Sequence, residues 1–478
     1  MTAVDSLPPL SRSAGDGRPA APVRILHLGL GNFFRAHQAW YTEHAGDAEE
    51  WGIAAFTGRS AGLAEKLTAQ QGLYTLLTRG PDGDRHEVVG ALSAAHAGGD
   101  HEAWLRHWRD PALAVVTLTV TEAGWTRRPD GGLDTDRADV AADIAALRSG
   151  TGPVTTAAGR VLSGLAARLR AGGGLVAVVP CDNLPGNGEA LAHVVAELAS
   201  ATGRPELAEA AGHACWVTTM VDRITPATEP ADLDEVAEAT GRADAAPVVT
   251  EPFTEWVLAG TFPAGRPRWE DAGAHFVPDV TPYEQRKLWL LNGAHSLLAY
   301  LGPLRGHATV AEAVADPGCR DPLLAWWREA SARLTLPPSE LAAYQERLLA
   351  RFANPRLRHA LAQIAADGSQ KLPVRILPTL RAERAAGRLP TGATTVLAAW
   401  LLHLRGHGAP LRDPNVDPAL ASGPLPEAAR AVLTFLAPEL GTDAELASAV
   451  AELAASLVRS ARWFGQEPNR RRTTSPAP

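Results

Sequence analysis

VRILHLGLGNFF, residues 23–34, places an apolar run directly before a glycine-rich turn. The run from Val23 to Leu30 predicts a strand, and the residues after the turn predict a helix that ends near Gly46. In this context a GxG motif can hold a dinucleotide pyrophosphate at the helix N-terminus. Because Phe34 stands where a third glycine is usual, an ordinary tight turn is the alternative interpretation. The candidate cofactor-binding residues here are Gly29, Gly31, Asn32, Phe33 and Arg35.

Further apolar runs predict the other strands of a parallel sheet, at residues 51–57, 114–120 and 175–180. Ligands of open α/β sheets collect at the carboxyl ends of the strands, where Glu122 and Asn183 follow two of these runs. The turn-rich stretch between residues 73 and 92 predicts an inserted β-hairpin. Asn183 lies in a cluster of Asn, Pro and Gly that would also form a turn without any functional role.

Arg59 follows the second predicted strand, where an NAD-specific site usually places an acidic residue for the ribose hydroxyls. An arginine at this position leaves NADP possible as the cofactor. A solvent-facing arginine is the alternative.

The chain of 478 residues is too long for one ordinary core and predicts more than one domain. Residues 1–22 are rich in Pro, Ser, Gly and Ala and are expected to form a flexible leader. Residues 23–280 are expected to form a Rossmann-like dinucleotide-binding domain with an expanded sheet. From Tyr283 onward helical periodicity dominates, so residues 281–478 predict a mainly α-helical, substrate-binding domain.

The composition excludes several classes of protein. A net charge of −8 argues against a nucleic-acid surface, which needs clustered Lys and Arg. No apolar run approaches the length of a membrane span, and the first 22 residues lack the apolar core of a secretory signal. Three widely spaced cysteines fit a reducing cytoplasm, with neither a disulfide framework nor a CxxC zinc pair.

YEQRKLWLLNGAHSLLAYL, residues 283–301, predicts one helix that carries polar groups among large apolar residues. At 100° per residue, Lys287, Leu291 and His295 form a stripe, and Asn292 lies one turn before His295. Burial would lower the pKa of a lysine from ~10.4 towards neutrality and make it a usable base. The alternative is an amphipathic helix with a snorkelling lysine and a core histidine.

Lys371 and Arg375 stand four residues apart in GSQKLPVR, with Pro373 between them. They can open a helix and present two cations to an anionic or polyhydroxylated substrate. Two solvated basic residues are the alternative interpretation.

Taken together, seven ordered blocks resemble the polyol-specific long-chain dehydrogenase/reductase family. The blocks extend from about residue 23 to 380 and read HLGLGNFFRAH, TLTVTEAGW, VPCDNLPGNG, TMVDRITP, EPFTEWV, KLWLLNGAHS and DGSQKLP. The resemblance implies an α/β fold with a Rossmann-like N-terminal domain and an all-α C-terminal domain. It also implies a cytoplasmic oxidoreductase that uses NAD, with NADP possible, and a small-molecule sugar substrate without nucleic-acid or membrane partners. We expect a monomer.

The resemblance further implies roles for individual residues. Lys287 would be the general base, and Asn183 and Asn292 would form a hydrogen-bonding pair around the reacting oxygen. His295 would orient the substrate, Asp222 matches an active-site acid, and Glu284 could pass the proton to water. Two amide donors and a protonated lysine stabilise a developing alkoxide without a metal.

The substrate is the least constrained expectation. GSQKLPVR is similar to the hexuronate-reducing members, and Gln363 stands where the mannitol-oxidising members tend to have arginine. Interconversion of D-fructuronate and D-mannonate is therefore expected, with a substrate carboxylate pairing with Lys371 and Arg375. The alternative is mannitol 2-dehydrogenase activity on D-mannitol and D-fructose.

Three other interpretations are less favoured. Tyr283 to Lys287 spells the YxxxK pattern of short-chain dehydrogenases, but the glycine fingerprint lies too far upstream for that fold. A zinc-dependent polyol dehydrogenase would need closely spaced His and Cys ligands. A non-catalytic dinucleotide sensor would be expected to lack the lysine or the two asparagines.

Overall fold

The computed structural model describes residues 7–58 and 60–464, except for the side chains of residues 122, 123 and 460–464. These residues divide into two compact units at residues 281 and 282. The first unit contains the sheets, and the second is helical.

The first unit is built on a six-stranded sheet in the order β5-β2-β1-β6-β7-β8, in which every pairing is parallel. Strands β2, β6 and β7 are buried at every position, because helices cover both faces of such a sheet. The strands of this unit are β1 (Val23–Leu28), β2 (Gly52–Phe56), β3 (Tyr74–Gly80), β4 (Gly83–Val89), β5 (Leu92–His96), β6 (Val115–Leu118), β7 (Val176–Pro180), β8 (Ala214–Trp216), β9 (Thr218–Asp222), β10 (Val248–Thr250), β11 (Glu255–Ala259) and β12 (His275–Phe276).

The strand order reverses at β1, whose two neighbours are β2 and β6. The chain moves outward from β1 to β2 and β5, and then returns to β6 on the other side. A crevice forms at such a switch point beyond the carboxyl ends of the strands. The helices of this unit are α1 (Asn32–Ala36), α2 (Gln38–Glu43), α3 (Gly62–Ala69), α4 (His101–Arg109), α5 (Ala138–Ser149), α6 (Ala157–Arg170), α7 (Asn187–Thr202), α8 (Pro205–Ala211) and α9 (Pro230–Thr240).

Two smaller sheets extend the unit. The predicted hairpin is present as β3 and β4, which pair antiparallel and are joined by β10. The predicted hairpin strand at residues 87–92 ends earlier, since Leu92 begins β5 of the main sheet. Strands β9, β11 and β12 form the third sheet. Short 3₁₀ helices lie at Arg12–Ala14, Ala48–Glu50, Glu122–Trp125 and Trp269–Ala272.

The described part of the leader contacts the first unit, and the flexibility expected of residues 1–22 stays a prediction. Leu10 is 1% exposed, and its N–H donates to the carbonyl of Ala243. Nη2 of Arg12 donates to the carbonyl oxygens of Gly90 and Leu92, at 2.7 and 2.9 Å. Composition could not reveal this, because these acceptors lie far away in the sequence.

The second unit is helical, as predicted, and the α/β fold class is confirmed. Its centre is α11, which packs against α18, and both helices are buried along nearly all of their length. Between α10 and α11 the chain forms a π-helix, Lys287–Asn292. The helices are α10 (Thr281–Arg286), α11 (Gly293–Leu304), α12 (Val310–Ala315), α13 (Pro317–Ser331), α14 (Pro338–Phe352), α15 (Leu361–Ile364), α16 (Gly368–Arg375), α17 (Leu377–Ala385), α18 (Thr391–Leu404), α19 (Leu425–Leu436) and α20 (Ala444–Phe464), with 3₁₀ helices at Pro418–Ala421 and Leu440–Thr442.

A membrane-crossing helix needs a long apolar stretch, and none of the helices in the described residues meets that requirement.

Candidate active site

The turn after β1 requires glycine at position 29. Gly29 has a φ of +113°, and a Cβ there would lie 2.2 Å from the carbonyl oxygen of Thr119. The N–H groups of Gly29 and Leu30 both donate to the carbonyl of Phe56, at 2.9 and 2.8 Å. The turn is therefore fixed between the ends of β2 and β6, at the switch point of the sheet.

A cleft of about 840 Å³ opens at this edge of the sheet. The ends of β1, β2, β5 and β6 contribute Gly29, Gly58, Gly98 and Thr119 to its wall. Its size and position match those of a dinucleotide-binding crevice in an open α/β sheet.

His27 is a buried residue of this region to which the sequence did not point. Its ring stacks on Phe34 at a centroid distance of 3.5 Å, and its Nδ1 lies 2.8 Å from Oγ1 of Thr117. Complete burial lowers the pKa of His27 to about 3, so the imidazole is neutral. It ties the strand before the glycine turn to the helix after it.

Arg35 does not extend into the cleft. Its guanidinium is buried and donates to the carbonyl of Ala246 and, at 2.7 Å, to Oδ1 of Asn32. Burial lowers the pKa of Arg35 to about 10. These contacts give Arg35 a structural role, and its predicted contact with a cofactor phosphate stays a prediction.

The other predicted cofactor residues are distributed as follows. Asn32 and Arg35 line a second cleft, of about 550 Å³, together with Ser60 and Lys66. Phe33 stacks on His37 at 5.0 Å, and Gly31 is the N-cap of α1 in extended backbone conformation. Arg59 and the side chain of Glu122 lie outside the described residues.

The loop that carries Asn183 follows β7 and is anchored by Asn187. Asn187 is fully buried, with Oδ1 accepting from the N–H of Thr219 at 2.9 Å and Nδ2 donating to the Thr219 carbonyl at 3.1 Å. Asn183 itself is exposed. Asn187 therefore positions this loop, a role that the turn-forming sequence Gly186-Asn187-Gly188 did not indicate.

Asp222 ends β9 and lies opposite Glu255 of β11 in the antiparallel ladder. Both are nearly buried, and burial together with the charge of Glu255 raises the pKa of nearby Tyr41 to about 12. The adjacent Arg223 instead donates to the backbone carbonyls of Glu251 and Ala36. Asp222 is therefore an element of a buried polar cluster.

The helix predicted over residues 283–301 is continuous but not regular. Residues Lys287–Asn292 form a π-helix, so the 100° spacing assumed for the stripe is wrong across this segment. In an α-helix, residues five apart are rotated by about 140° from each other. A π turn is closed between residues five apart, which returns Lys287 and Asn292 to nearly the same side.

Two side chains from one other helix, α13, hold the widened turn. Nε1 of Trp326 donates to the carbonyl of Trp289 at 2.9 Å, and Nε1 of Trp327 donates to that of Leu290 at 2.8 Å. A Cβ at Gly293 would lie 2.7 Å from the Trp326 indole nitrogen, so glycine lets the indole approach. The carbonyls released from α-helical bonding are satisfied from outside.

The predicted catalytic groups on this helix differ in environment. Glu284, Lys287 and Asn292 are half-buried, whereas His295 is 8% exposed. Burial first, and then the positive charges of His359, Arg351 and Arg375, hold the pKa of His295 well below its usual value. His295 is therefore neutral, and its buried Nε2 has no hydrogen-bond partner among the described residues.

Lys371 and Arg375 lie on α16, as predicted. Nη1 of Arg375 is 3.3 Å from both the carbonyl of Asn292 and Oγ of Ser296, next to the π-helix. Nζ of Lys371 donates to the carbonyls of Ile364 and Ala366. Within the described residues neither cation forms an ion pair, and burial lowers the pKa of each.

His307, Asp316 and Cys319 are grouped closely enough to hold a metal ion. Asp316, however, accepts from Nε of Arg305 at 2.5 Å and lies 2.8 Å from Nε2 of His307. It also caps α13. The arginine competes for the same carboxylate, and the expectation of a metal-independent protein stays a prediction.

Comparison with known proteins matches both units to family models. The mannitol dehydrogenase Rossmann domain matches residues 23–271, and the mannitol dehydrogenase C-terminal domain matches residues 279–453.

Individual relatives cover most of the chain. A D-mannonate oxidoreductase of Escherichia coli (strain K12) is 38% identical over 415 residues, covering 85% of this chain and 84% of the relative. A mannitol 2-dehydrogenase of Cereibacter sphaeroides is 35% identical over 401 residues, covering 81% and 82%. The Pseudomonas fluorescens mannitol 2-dehydrogenase, solved as a ternary complex with NAD and D-mannitol, has a TM-score of 0.74 and 30% identity, covering 94% of this chain and 95% of that one.

Proposed function

Because the chain belongs to the mannitol dehydrogenase family of oxidoreductases, we propose that it interconverts D-fructuronate and D-mannonate with a nicotinamide cofactor. The observation that carries the choice of a carboxylate substrate is the cationic surface beside the π-helix. Arg375 contacts this helix through Asn292, and it forms no ion pair with a described acidic residue.

The fit to a dinucleotide rests on the glycine turn and the cleft beside it. Gly29 is held at a φ that excludes other residues, and the cleft of about 840 Å³ lies at the switch point. Gly29, Gly31 and the first turn of α1 would hold the pyrophosphate. A bound nicotinamide supplies the hydride acceptor in oxidation and the hydride donor in reduction.

Lys287 is the proposed general base. It takes the proton from the substrate hydroxyl during oxidation and returns it to the oxygen during reduction. The π-helical segment supports this proposal, because residues five apart in a π turn lie nearly above one another, so that an amide and an ammonium could donate to one oxygen. Asn183 is the proposed second amide donor.

The remaining catalytic assignments are proposals of the same kind. Glu284 lies one turn before Lys287 and is half-buried, which suits a group that passes the proton to water. Neutral His295 keeps one N–H donor and one acceptor for a substrate hydroxyl. Asp222 would fix a substrate hydroxyl or an active-site donor.

Substrate charge is the second part of the proposal. The positive charges of Arg351 and Arg375 both help to depress the pKa of His295, so this part of the second unit favours an anion. A hexuronate carboxylate would accept hydrogen bonds from Arg375 and Lys371.

D-Mannitol and D-fructose are the second candidate pair. Nζ of Lys371 already donates to two backbone carbonyls, which leaves it less capacity for a carboxylate. The identity to a mannitol 2-dehydrogenase, 35%, is also close to that of the D-mannonate oxidoreductase, 38%.

The decisive experiment measures initial rates with D-fructuronate, D-tagaturonate and D-fructose, each with NADH and with NADPH. We expect the highest kcat/KM with D-fructuronate. Arg375→Gln should raise the KM for D-fructuronate about tenfold and change that for D-fructose much less, since only the former carries a carboxylate.

Arg381→Gln is the matched control, because Arg381 is an exposed arginine that pairs with Glu439. It should leave both KM values unchanged. A higher kcat/KM with D-fructose would replace the proposal by its second candidate, and no reduction of any of the three sugars would overturn it.

A further inference from the structure

Arg160, in the first turn of α6, is a buried cation that has no acidic partner among the described side chains. The residue is 4% exposed, and its Nη2 has no hydrogen-bond partner among the described residues. Its guanidinium packs over the ring of Trp104 at 4.6 Å and over that of Phe56 at 5.5 Å. It lines the cleft of about 840 Å³ at the carboxyl edge of the sheet.

Such an arginine is costly to the free protein. A buried charge is normally paired, and an unpaired one destabilises the fold. Other buried arginines of this unit avoid the cost, as Arg168 does by donating to the carbonyls of Gly174 and Asp110. An anion bound in the cleft would give Arg160 a partner that the described part of the chain does not provide.

His101 supplies a second unsatisfied donor or acceptor in the same cleft. It begins α4, and its buried Nδ1 has no partner among the described residues. Burial is the main cause that lowers the pKa of His101, and the positive charge of nearby Arg160 lowers it further. The remaining charged residues of the cleft wall, Arg137 and Asp139, pair with each other at 2.8 Å.

The nearby Asp143 does not neutralise Arg160. Its carboxylate accepts from the N–H and hydroxyl groups of Thr155 and Thr156 at the start of α6. Its carboxylate keeps its negative charge but forms no ion pair within the described residues, so the guanidinium of Arg160 still lacks a hydrogen-bonding carboxylate.

The position of Arg160 indicates which anion it would bind. Phe56, on which it packs, is the last residue of β2, after which a dinucleotide places its adenosine ribose. No acidic residue occurs from Thr57 to Ala64, so no carboxylate of this stretch would accept from free ribose hydroxyls. The pyrophosphate, in contrast, belongs to the glycine turn after β1.

The loops after β2 and β5 approach each other closely next to this position. Oγ1 of Thr57 accepts from the N–H of Gly98 at 2.8 Å, and a Cβ at Gly98 would lie 2.1 Å from the carbonyl oxygen of Gly58. The loops after β2 and β5 are thus held close together by one small side chain and by two glycines, Gly58 and Gly98, which line the same cleft as Arg160 and His101.

We propose that Arg160 and His101 bind the 2′-phosphate of NADP(H), so that the protein prefers NADP(H) over NAD(H). This inference rests on the proposed nicotinamide-dependent function, but its test does not depend on turnover. The ligands to compare are adenosine 2′,5′-bisphosphate and 5′-AMP, which differ by the 2′-phosphate alone.

Isothermal titration of the full chain with these two nucleotides, and with NADPH and NADH, gives the dissociation constants. We expect adenosine 2′,5′-bisphosphate and NADPH to bind at least about tenfold more tightly than their partners, as for a charge-assisted contact. Arg160→Met keeps length and packing over Trp104 and should abolish most of this ratio. Arg160→Lys should retain part of it, and His101→Gln should reduce it.

Arg168→Met is the matched control, since it removes a buried arginine from the same helix and should leave the ratio unchanged. Equal affinities for the two members of each pair, or an equal loss of both in Arg160→Met, would overturn the inference. A preference for the bisphosphate without reduction of any sugar would sustain the inference and reject the proposed function.

Discussion

The glycine turn after β1 and the π-helix Lys287–Asn292 both depart from regular structure at proposed ligand positions, but opposite means stabilise them. The turn requires the absence of a side chain, because a Cβ on Gly29 would collide with Thr119. The π-helix requires side chains from elsewhere, because Trp326 and Trp327 donate to its carbonyls. The turn depends on conformational freedom at one residue, whereas the π-helix depends on donors nearly 40 positions later.

The largest expected effect tests the chemistry of the π-helix. Lys287→Ala should lower kcat/KM about 10³-fold, within the range that general acid–base catalysis supplies. Tyr283→Phe, four residues earlier, should stay within about threefold of the wild type in the same steady-state assay, since its hydroxyl has no proposed role. If Tyr283→Phe lost activity and Lys287→Ala kept it, the YxxxK interpretation would be right.

The next effect tests the turn. Gly29→Ala should weaken dinucleotide binding about 100-fold and lower the melting temperature, because φ of +113° and the contact with Thr119 disfavour any side chain. Titration calorimetry and thermal unfolding measure the two quantities. Gly31→Ala is the control, since its Cβ would lie 3.5 Å from the nearest atom, the Gly29 carbonyl oxygen. Gly31→Ala should leave the melting temperature unchanged and weaken only dinucleotide binding.

A smaller effect concerns the strand before the turn. The folded pKa of His27, about 3, lies below that of an unfolded histidine, near 6.5. The stabilisation is therefore fully present above pH 6.5 and is lost as the pH falls towards 3. From pH 7 to pH 5, His27 alone should lower the free energy of unfolding by about 2 kcal/mol.

Urea unfolding at both pH values measures this loss. His27→Asn should be less stable at pH 7 and should show a smaller difference between the two pH values. An unchanged difference would mean that His27 is not the group that titrates.

The smallest effect tests the support of the π-helix. Trp326→Phe removes the donor to the Trp289 carbonyl and should lower kcat about tenfold, because Lys287 and Asn292 lose their alignment. Trp400→Phe is the control, since its buried Nε1 has no partner among the described residues. It should alter stability with little change in kcat, and equal losses of kcat in both variants would contradict the alignment argument.

The two regions also differ in how far the sequence predicts them. Apolar strands and glycine turns are local signals, so β1, β2 and the position of Gly29 follow from neighbouring residues. The π-helix cannot be predicted in this way, because its support comes from Trp326 and from the space that Gly293 leaves for that indole. The helical periodicity of the sequence carries no information about so distant a residue. The burial of Arg35 and the isolation of Arg160 are likewise properties of packing. The sequence suggests a phosphate contact for Arg35 and contains no signal for Arg160.

The contacts of the leader have a consequence for biosynthesis. Leu10 is bonded to Ala243, which leaves the ribosome 233 residues later, after roughly 10–50 s at typical elongation rates. During this interval the carbonyls of Gly90 and Leu92 have been synthesised and can accept from Arg12. Leu10 still lacks its partner, the carbonyl of Ala243. A segment that is synthesised early is therefore among the last of its unit to be fixed in place.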